Sequence, residues 1–135
     1  MPNGFHGSLE EWRRMEAPYI RVDPLLEEFA ERHQLQLQKN YHSEANRSLR
    51  RDGSVSRSIW IYSTDKYGES ETYQVSVIAW QDRGGRRYVK HGILANSVEV
   101  AGLAQVLERA WDILASWSED ELHEAKAGGE TPEVL

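Results

Sequence analysis

Arginine and lysine side chains that could bind an anion are concentrated in the middle of the chain. Within nineteen positions the sequence places five cations: Lys39, Arg47, Arg50, Arg51 and Arg57. A second group follows, made up of Arg83, Arg86, Arg87 and Lys90. Guanidinium groups bind carboxylate and phosphate groups through two parallel hydrogen bonds, so several of them converging from neighbouring strands would bind an acidic partner. The alternative is a solvated rim of charges at the turns of the sheet.

The sign of the net charge changes twice along the sequence. Residues 1–34 carry −3, residues 35–94 carry +4 and residues 95–135 carry −7, which together give the net charge of −6. The basic middle segment coincides with the predicted strands, whereas the acidic segments coincide with predicted helices. We therefore expect one electropositive surface on an otherwise acidic protein.

Aromatic residues are interleaved with the cations in this segment. Trp60, Tyr62 and Trp80 would offer stacking platforms beside arginine if they lay on the sheet face away from the helices, as in proteins that bind single-stranded nucleic acid. A sheet covered by helices also needs large rings in its core, and this second interpretation is favoured. The pI of about 5.4 disfavours strong binding to a phosphate backbone.

The polar stretch around His42 is the best candidate for catalysis. His42 and Glu44 share one face if the first strand continues this far, and the imidazole could then act as a general base beside a carboxylate. A small enzyme or ligand-binding domain would hold an anionic small molecule near His42. Tyr41 would face that cavity, and Arg47 or Arg57 would bind the anion. A surface histidine at a strand end is the more common case.

No recognised motif for metal binding, nucleophilic catalysis or phosphate binding occurs in the sequence. The five histidines are scattered, and the absence of cysteine excludes disulfides, thiolate metal sites and a cysteine nucleophile. There is no Gly-x-Ser-x-Gly elbow, and Gly84-Gly85 is interpreted as a hairpin turn because no Lys-Ser/Thr pair follows it. We therefore predict no metal and no cofactor, and we favour a protein that is not an enzyme.

The composition is that of one globular domain. The chain has 135 residues, of which 39% are hydrophobic and 28% charged. We expect an ordered core over about 8–122 and flexible ends at 1–7 and 127–135. Because no signal peptide or membrane-spanning apolar run occurs and cysteine is absent, we expect a soluble, cytoplasmic protein.

Periodicity and capping signals predict an α+β fold of three helices and four or five strands. Ser8, Asp23 and Ser97 are predicted to cap the helices, which cover about 9–16, 24–34 and 98–117. The predicted strands cover 35–41, 47–51, 57–63, 72–80 and 87–94, of which the second has the weakest signal. Short turns between consecutive strands indicate an antiparallel meander, with two N-terminal helices and one long C-terminal helix packed on one face.

These observations favour a small binding module that contacts another protein, preferably an acidic one, through its basic strands and loops. The expected contact residues are Lys39, His42, Arg47, Arg50, Arg51, Arg57, Trp60 and Trp80. A homodimer is a further expectation, because the edge strand of an antiparallel sheet has unpaired backbone groups that a second copy could cover. Binding to nucleic acid is a weaker alternative, and binding to a membrane is not expected.

Overall fold

The computed structural model describes residues 7–41, 45–64, 71–126 and 132–135, so His42 lies outside the described residues. The helices are α1 (Leu9–Glu16), α2 (Asp23–His33) and α3 (Val100–Ser116). The strands are β1 (Gln36–Asn40), β2 (Asn46–Arg51), β3 (Ser56–Ser63), β4 (Thr72–Arg83), β5 (Arg86–Glu99), β6 (His123–Glu124) and β7 (Glu133–Val134). Short 3₁₀ turns follow α1 and α3, at Ala17–Tyr19 and Glu119–Glu121.

The strands form one open sheet. β1 to β5 follow one another as an antiparallel meander, and β6 and β7 pair with the far edge of β5, antiparallel and parallel to it respectively. The predicted α+β class and antiparallel meander are confirmed, whereas the predicted number of strands is too low. β6 and β7 have two residues each, which is too few for a period-two pattern to be recognised.

One face of the sheet packs against α2 and α3 to form the core. Alternate residues of the central strands are fully buried on that face, among them Ile59, Ile61, Val75 and Val77. The buried residues of α3 follow helical spacing and are Leu103, Leu107, Ala110 and Leu114. Each large aliphatic side chain buried in this way stabilises the fold by roughly 1.5–3 kcal/mol. We call the opposite face of the sheet, which no described helix covers, the open face.

The first helix begins as predicted, and the other two do not. Ser8 caps α1, because its side-chain oxygen accepts a hydrogen bond from the backbone N–H of Glu11 at 3.2 Å. Asp23 lies inside α2 and makes no capping bond, since its carboxylate binds Arg47 instead. Ser97 lies in β5, which continues to the residue before α3.

The described C-terminal residues cover part of the β5 edge. The backbone N–H of Ala125 donates to the carbonyl of Arg87 at 2.8 Å, and that of Leu135 donates to the carbonyl of Ile93 at 2.9 Å. The Leu135 side chain lies against Gly92, where an added Cβ would be only 2.5 Å from Leu135 Cδ1. Position 92 therefore has to be glycine for Leu135 to pack in this place. Residues 127–131 lie outside the described residues.

Candidate functional site

The five cations of the middle segment do not converge on one surface. Residues directly opposite each other on neighbouring strands share a face of the sheet, and the register pairs Lys39 with Arg47. It also pairs Arg51 with Arg57, and all four of these residues lie on the helix-covered face. Arg50 lies on the open face. The five side chains therefore do not form the single electropositive surface expected from the sequence.

Arg47 is a structural residue, because its side chain is completely buried. Its Nε lies 2.8 Å from Asp23 Oδ1, and its Nη2 lies 3.1 Å from Asp23 Oδ2 and 2.9 Å from Glu16 Oε2. The guanidinium also packs over the rings of Tyr19 and Tyr41. Burial opposes the charge of Arg47, but the carboxylate of Asp23 outweighs burial, and the pKa of the guanidinium is raised. A side chain with no exposed surface cannot contact a partner.

Arg57 and Lys39 are likewise engaged with groups of the helices. Arg57 donates to the carbonyl oxygens of Leu114 at 3.1 Å and Trp117 at 2.8 Å. These carbonyls lie at the end of α3, where the last turn of a helix leaves acceptors without partners inside the helix. Lys39 Nζ lies 3.6 Å from Asp23 Oδ2. The two side chains therefore attach the sheet to the helices.

The open face carries aromatic rings. Trp60 and Tyr62 are stacked, with ring centroids 6.2 Å apart and 17° between the ring planes. The ring of Trp80 has two guanidinium groups beside it, with Cζ of Arg50 at 5.0 Å and Cζ of Arg87 at 5.9 Å from its centroid. All three rings are half-buried, and none belongs to the core. The core role favoured for these rings from the sequence is therefore wrong.

Apart from His91, which the register places opposite Ile78, the rest of the open face carries mainly neutral polar and aliphatic side chains. By strand alternation and register the amide side chains of this face are Gln36, Gln38, Asn40, Asn46 and Gln74, and its half-buried aliphatic side chains include Ile78 and Ile93. Ser48 and Ser76, the cross-strand neighbours of Trp60, are buried. The small serine side chains are covered, whereas the larger Trp60 ring between them is partly exposed. The outer surface of the open face is therefore formed by its rings.

The two arginines beside Trp80 are compensated by nearby carboxylates. Arg50 Nε lies 2.6 Å from Asp52 Oδ1, and Arg87 Nε lies 3.0 Å from Asp82 Oδ1. The hydrogen bond from Arg87 lowers the pKa of Asp82, so this carboxylate is ionised at neutral pH. The open face consequently has little net charge, which differs from the basic surfaces that bind a phosphate backbone.

Tyr41 and Arg47, which were expected near a cavity beside His42, bind a carboxylate of the protein itself. The Tyr41 hydroxyl donates to Glu16 Oε2 at 2.6 Å, and the same oxygen accepts from Arg47. Burial, followed by the hydrogen bond to Glu16, raises the pKa of Tyr41 to about 12. Tyr41 is therefore a neutral donor at physiological pH. Because His42 lies outside the described residues, catalysis there stays a prediction.

The described residues contain neither a cluster of metal ligands nor a helix that could span a membrane. Within 7–41, 45–64, 71–126 and 132–135, no three His, Cys, Asp or Glu side chains are grouped as a metal would require. The longest helix in these ranges, α3, has 17 residues, whereas a bilayer requires about 20 predominantly apolar ones. No helix in the described ranges combines the necessary length and hydropathy.

Ile78 and Ile93 of the open face were not predicted to contact a partner, and Tyr62 and Arg87 were considered from the sequence but were not among the expected contact residues. The available signal was strand alternation, because Trp60 and Tyr62 have the same parity on β3 and therefore share a face. This signal was ambiguous, since β3 is apolar on both faces and either one could pack against the helices.

Comparison with protein-family models, with curated proteins and with solved structures gives no match for this chain.

Proposed function

We propose that the protein is a non-enzymatic binding module that docks onto another protein through its open face. The observation that carries this proposal is the position of Trp60, Tyr62 and Trp80 outside the core, on the side of the sheet that no described helix covers. An antiparallel sheet that faces water on one side usually presents polar side chains there. Three half-buried rings in that position offer apolar area that a partner would bury.

The residue types of the open face suit the centre of a protein interface. Tryptophan, tyrosine and arginine contribute most of the binding energy in measured interfaces, and lysine and acidic residues are depleted there. Arg50 and Arg87 stand beside the Trp80 ring, and each is compensated by a neighbouring aspartate. The amides around the rings can donate and accept hydrogen bonds at the periphery of such a contact.

The open face is large enough for one side of a specific interface. Five meander strands at a spacing of about 4.8 Å span about 24 Å, and six residues at about 3.3 Å each span about 20 Å. The projected area is then roughly 500 Å². Because the side chains protrude from this plane, the accessible area of the face is larger than its projected area. It approaches the roughly 800 Å² that each partner contributes to a standard interface.

The charge of the chain favours a different protein over a second copy. Two chains with a net charge of −6 each repel one another outside the contact. The open face itself is close to neutral, so it matches a partner surface of apolar side chains and neutral hydrogen-bonding groups. A homodimer and a nucleic acid are the alternatives that the experiment distinguishes.

The test compares a variant of the open face with a matched variant elsewhere. Trp60→Thr/Trp80→Thr removes two rings while keeping residues that favour strands. The control, Leu9→Gln/Ile20→Gln, removes two side chains that are 48% and 63% exposed at other places. Tagged wild type, variant and control are used to capture partners from cells of the native organism. Each captured protein is then purified, and its affinity for the three chains is measured by calorimetry.

The expected result is a partner that binds wild type and control with equal affinity and binds the open-face variant at least thirtyfold more weakly, as loss of hot-spot residues implies. Affinity that is unchanged by Trp60→Thr/Trp80→Thr, or reduced equally by the control, contradicts the proposal. Sedimentation of wild type alone shows whether a second copy occupies the face. A steep decrease of oligonucleotide affinity with added salt would indicate nucleic acid instead.

A further inference from the structure

Arg51 and Arg57 are directly opposite each other at the end of the β2–β3 hairpin, on the helix-covered face. Like charges in this arrangement repel and destabilise a strand pair. Among the described residues, no carboxylate forms an ion pair with either guanidinium. Arg57 donates to three carbonyl oxygens, and Arg51 donates to the carbonyl oxygen of His33. Two positively charged side chains therefore start from directly opposite positions of the strand pair and have no ion-pair partner among the described residues, on a chain whose net charge is −6.

A concavity of about 340 Å³ adjoins this pair, between the β2–β3 turn and the second half of α3. It is lined by Arg51, Arg57, Trp111, Ala115 and residues 52–55. The Arg51 guanidinium packs over the Trp111 ring, with its Cζ 4.7 Å from the ring centroid. The acid in this lining, Asp52, is bound to Arg50 at 2.6 Å. The charge of the concavity is therefore dominated by its two arginines.

We propose that this concavity binds the carboxylate or phosphate group of a small molecule with a planar apolar body. Arg51 has further N–H groups besides the one bound to His33, and these supply paired hydrogen bonds to the oxyanion. Arg57, held in place by its carbonyl partners, supplies a fixed positive charge. Trp111, which lines the concavity beside Arg51, supplies apolar ring surface for the apolar part of the ligand. The bound anion supplies the counter-charge that the two guanidinium groups lack among the described residues.

The dimensions of the concavity limit the ligand. Ligand pockets have volumes of roughly 300–1,000 Å³, so about 340 Å³ corresponds to a molecule such as a substituted benzoate or an aryl phosphate. A dinucleotide is too large. This site lies on the opposite side of the sheet from the open face. Its test is therefore independent of the test of the protein-binding proposal.

The test is a titration of the isotope-labelled protein with inorganic phosphate, acetate and benzoate, followed by NMR. Ionic strength is held constant with sodium chloride, so that general screening does not change during the titration. The backbone amide of Gly53 and the indole N–H of Trp111 report on the concavity. Three variants are compared with wild type: Arg51→Gln removes the charge, Arg51→Lys keeps the charge without the paired donors, and Arg14→Gln, at an exposed position of α1, is the matched control.

We expect saturable shifts at Gly53 and Trp111, with dissociation constants on the order of 1 mM. Arg51→Gln should weaken binding at least tenfold, because it removes charge-assisted hydrogen bonds, and Arg51→Lys should give an intermediate value. Benzoate should bind several times more tightly than acetate, since only benzoate has a ring to contact Trp111. Shifts that do not saturate, or equal affinities for wild type and Arg51→Gln, overturn the proposal. Equal affinities for benzoate and acetate overturn the contact with Trp111.

Discussion

Arg47 and Asp23 form a two-point ion pair inside the fold, although 24 residues separate them in the sequence. The exposed fraction is 0% for the Arg47 side chain and 10% for that of Asp23. The pair joins β2 to the start of α2, and Glu16 extends it to the end of α1. This cluster therefore holds the N-terminal helices against the sheet.

Arg47→Met should lower the free energy of unfolding by about 3–5 kcal/mol, because it removes the two-point partner of the buried Asp23 carboxylate and leaves Lys39, whose Nζ lies 3.6 Å away, as the remaining cation. The measurement is urea denaturation at neutral pH. Arg47→Met/Asp23→Leu should recover a large part of the loss, since the second substitution removes the buried carboxylate. Arg50→Met, three residues along the same strand, is the control and should cost less than about 1 kcal/mol. A loss below 1 kcal/mol for Arg47→Met would show that the buried pair does not hold the helices.

The hydroxyl of Tyr41 should make stability depend on pH in the alkaline range. Its pKa is raised to about 12 in the folded state, whereas an unfolded tyrosine has a pKa of about 10. The stabilisation due to Tyr41 is fully present below pH 10 and is lost as pH rises from 10 to 12, because the unfolded chain gives up the proton first.

Tyr41→Phe isolates this contribution, because all other groups titrate in both proteins. The difference in unfolding free energy between wild type and Tyr41→Phe should be constant up to about pH 9.5. It should then decrease by up to roughly 3 kcal/mol by pH 12, since each pKa unit corresponds to about 1.4 kcal/mol. A difference that stays constant through pH 12 would mean that Tyr41 titrates normally in the folded state.

The order and extent of the main elements follow from local sequence signals. β3 is predicted at 57–63 and found at Ser56–Ser63. The prediction agrees because β-branched and aromatic residues favour strands, and polar turns bound this run on both sides. The stripe of apolar residues in α3 similarly predicts its buried face. Wherever a pattern is repeated over two turns of helix or a full strand, the structure agrees with it.

The features that depend on distant residues could not be predicted. Asp23 has the residue type and position of a helix cap, and only the fold brings Arg47 to its carboxylate. The face to which Trp60 belongs is decided in the same way, since Ile59 and Trp60 are both apolar and only one of them can meet α3. β6 and β7 form because β5 offers them an edge, and their own sequences carry no strand signal.

Gly92→Ala should displace the last described residues without unfolding the domain. The new Cβ would meet the Leu135 side chain at 2.5 Å, and the far end of this flexible side chain can move away at little cost. We expect a decrease in unfolding free energy below about 1 kcal/mol. Hydrogen exchange of the Leu135 amide, which donates to the carbonyl of Ile93, should accelerate at least tenfold. Unchanged exchange in Gly92→Ala would show that β7 does not require this close approach.

Ile59 and Trp60 are adjacent in β3, and the same substitution should cost much more stability at Ile59 than at Trp60. Ile59 is fully buried in the core, whereas Trp60 is half-buried on the open face and stacked on Tyr62. Ile59→Thr removes apolar volume and buries a hydroxyl, so it should cost more than about 2 kcal/mol of unfolding free energy. Trp60→Thr loses the ring pair, which is worth about 0.5–1.5 kcal/mol beyond the area that the half-buried ring covers, and it leaves no cavity in the core, so it should cost less than Ile59→Thr.

Both variants replace a residue that favours strands with threonine, which also favours them, so strand propensity has little influence on the comparison. Chemical denaturation of the two variants and wild type gives the two costs directly. Equal costs would mean that Trp60 is part of the core, and the open face would then lack its central ring. A large cost at Ile59 together with a small one at Trp60 means that the tryptophan contributes little to folding, as expected of a side chain that serves to contact a partner.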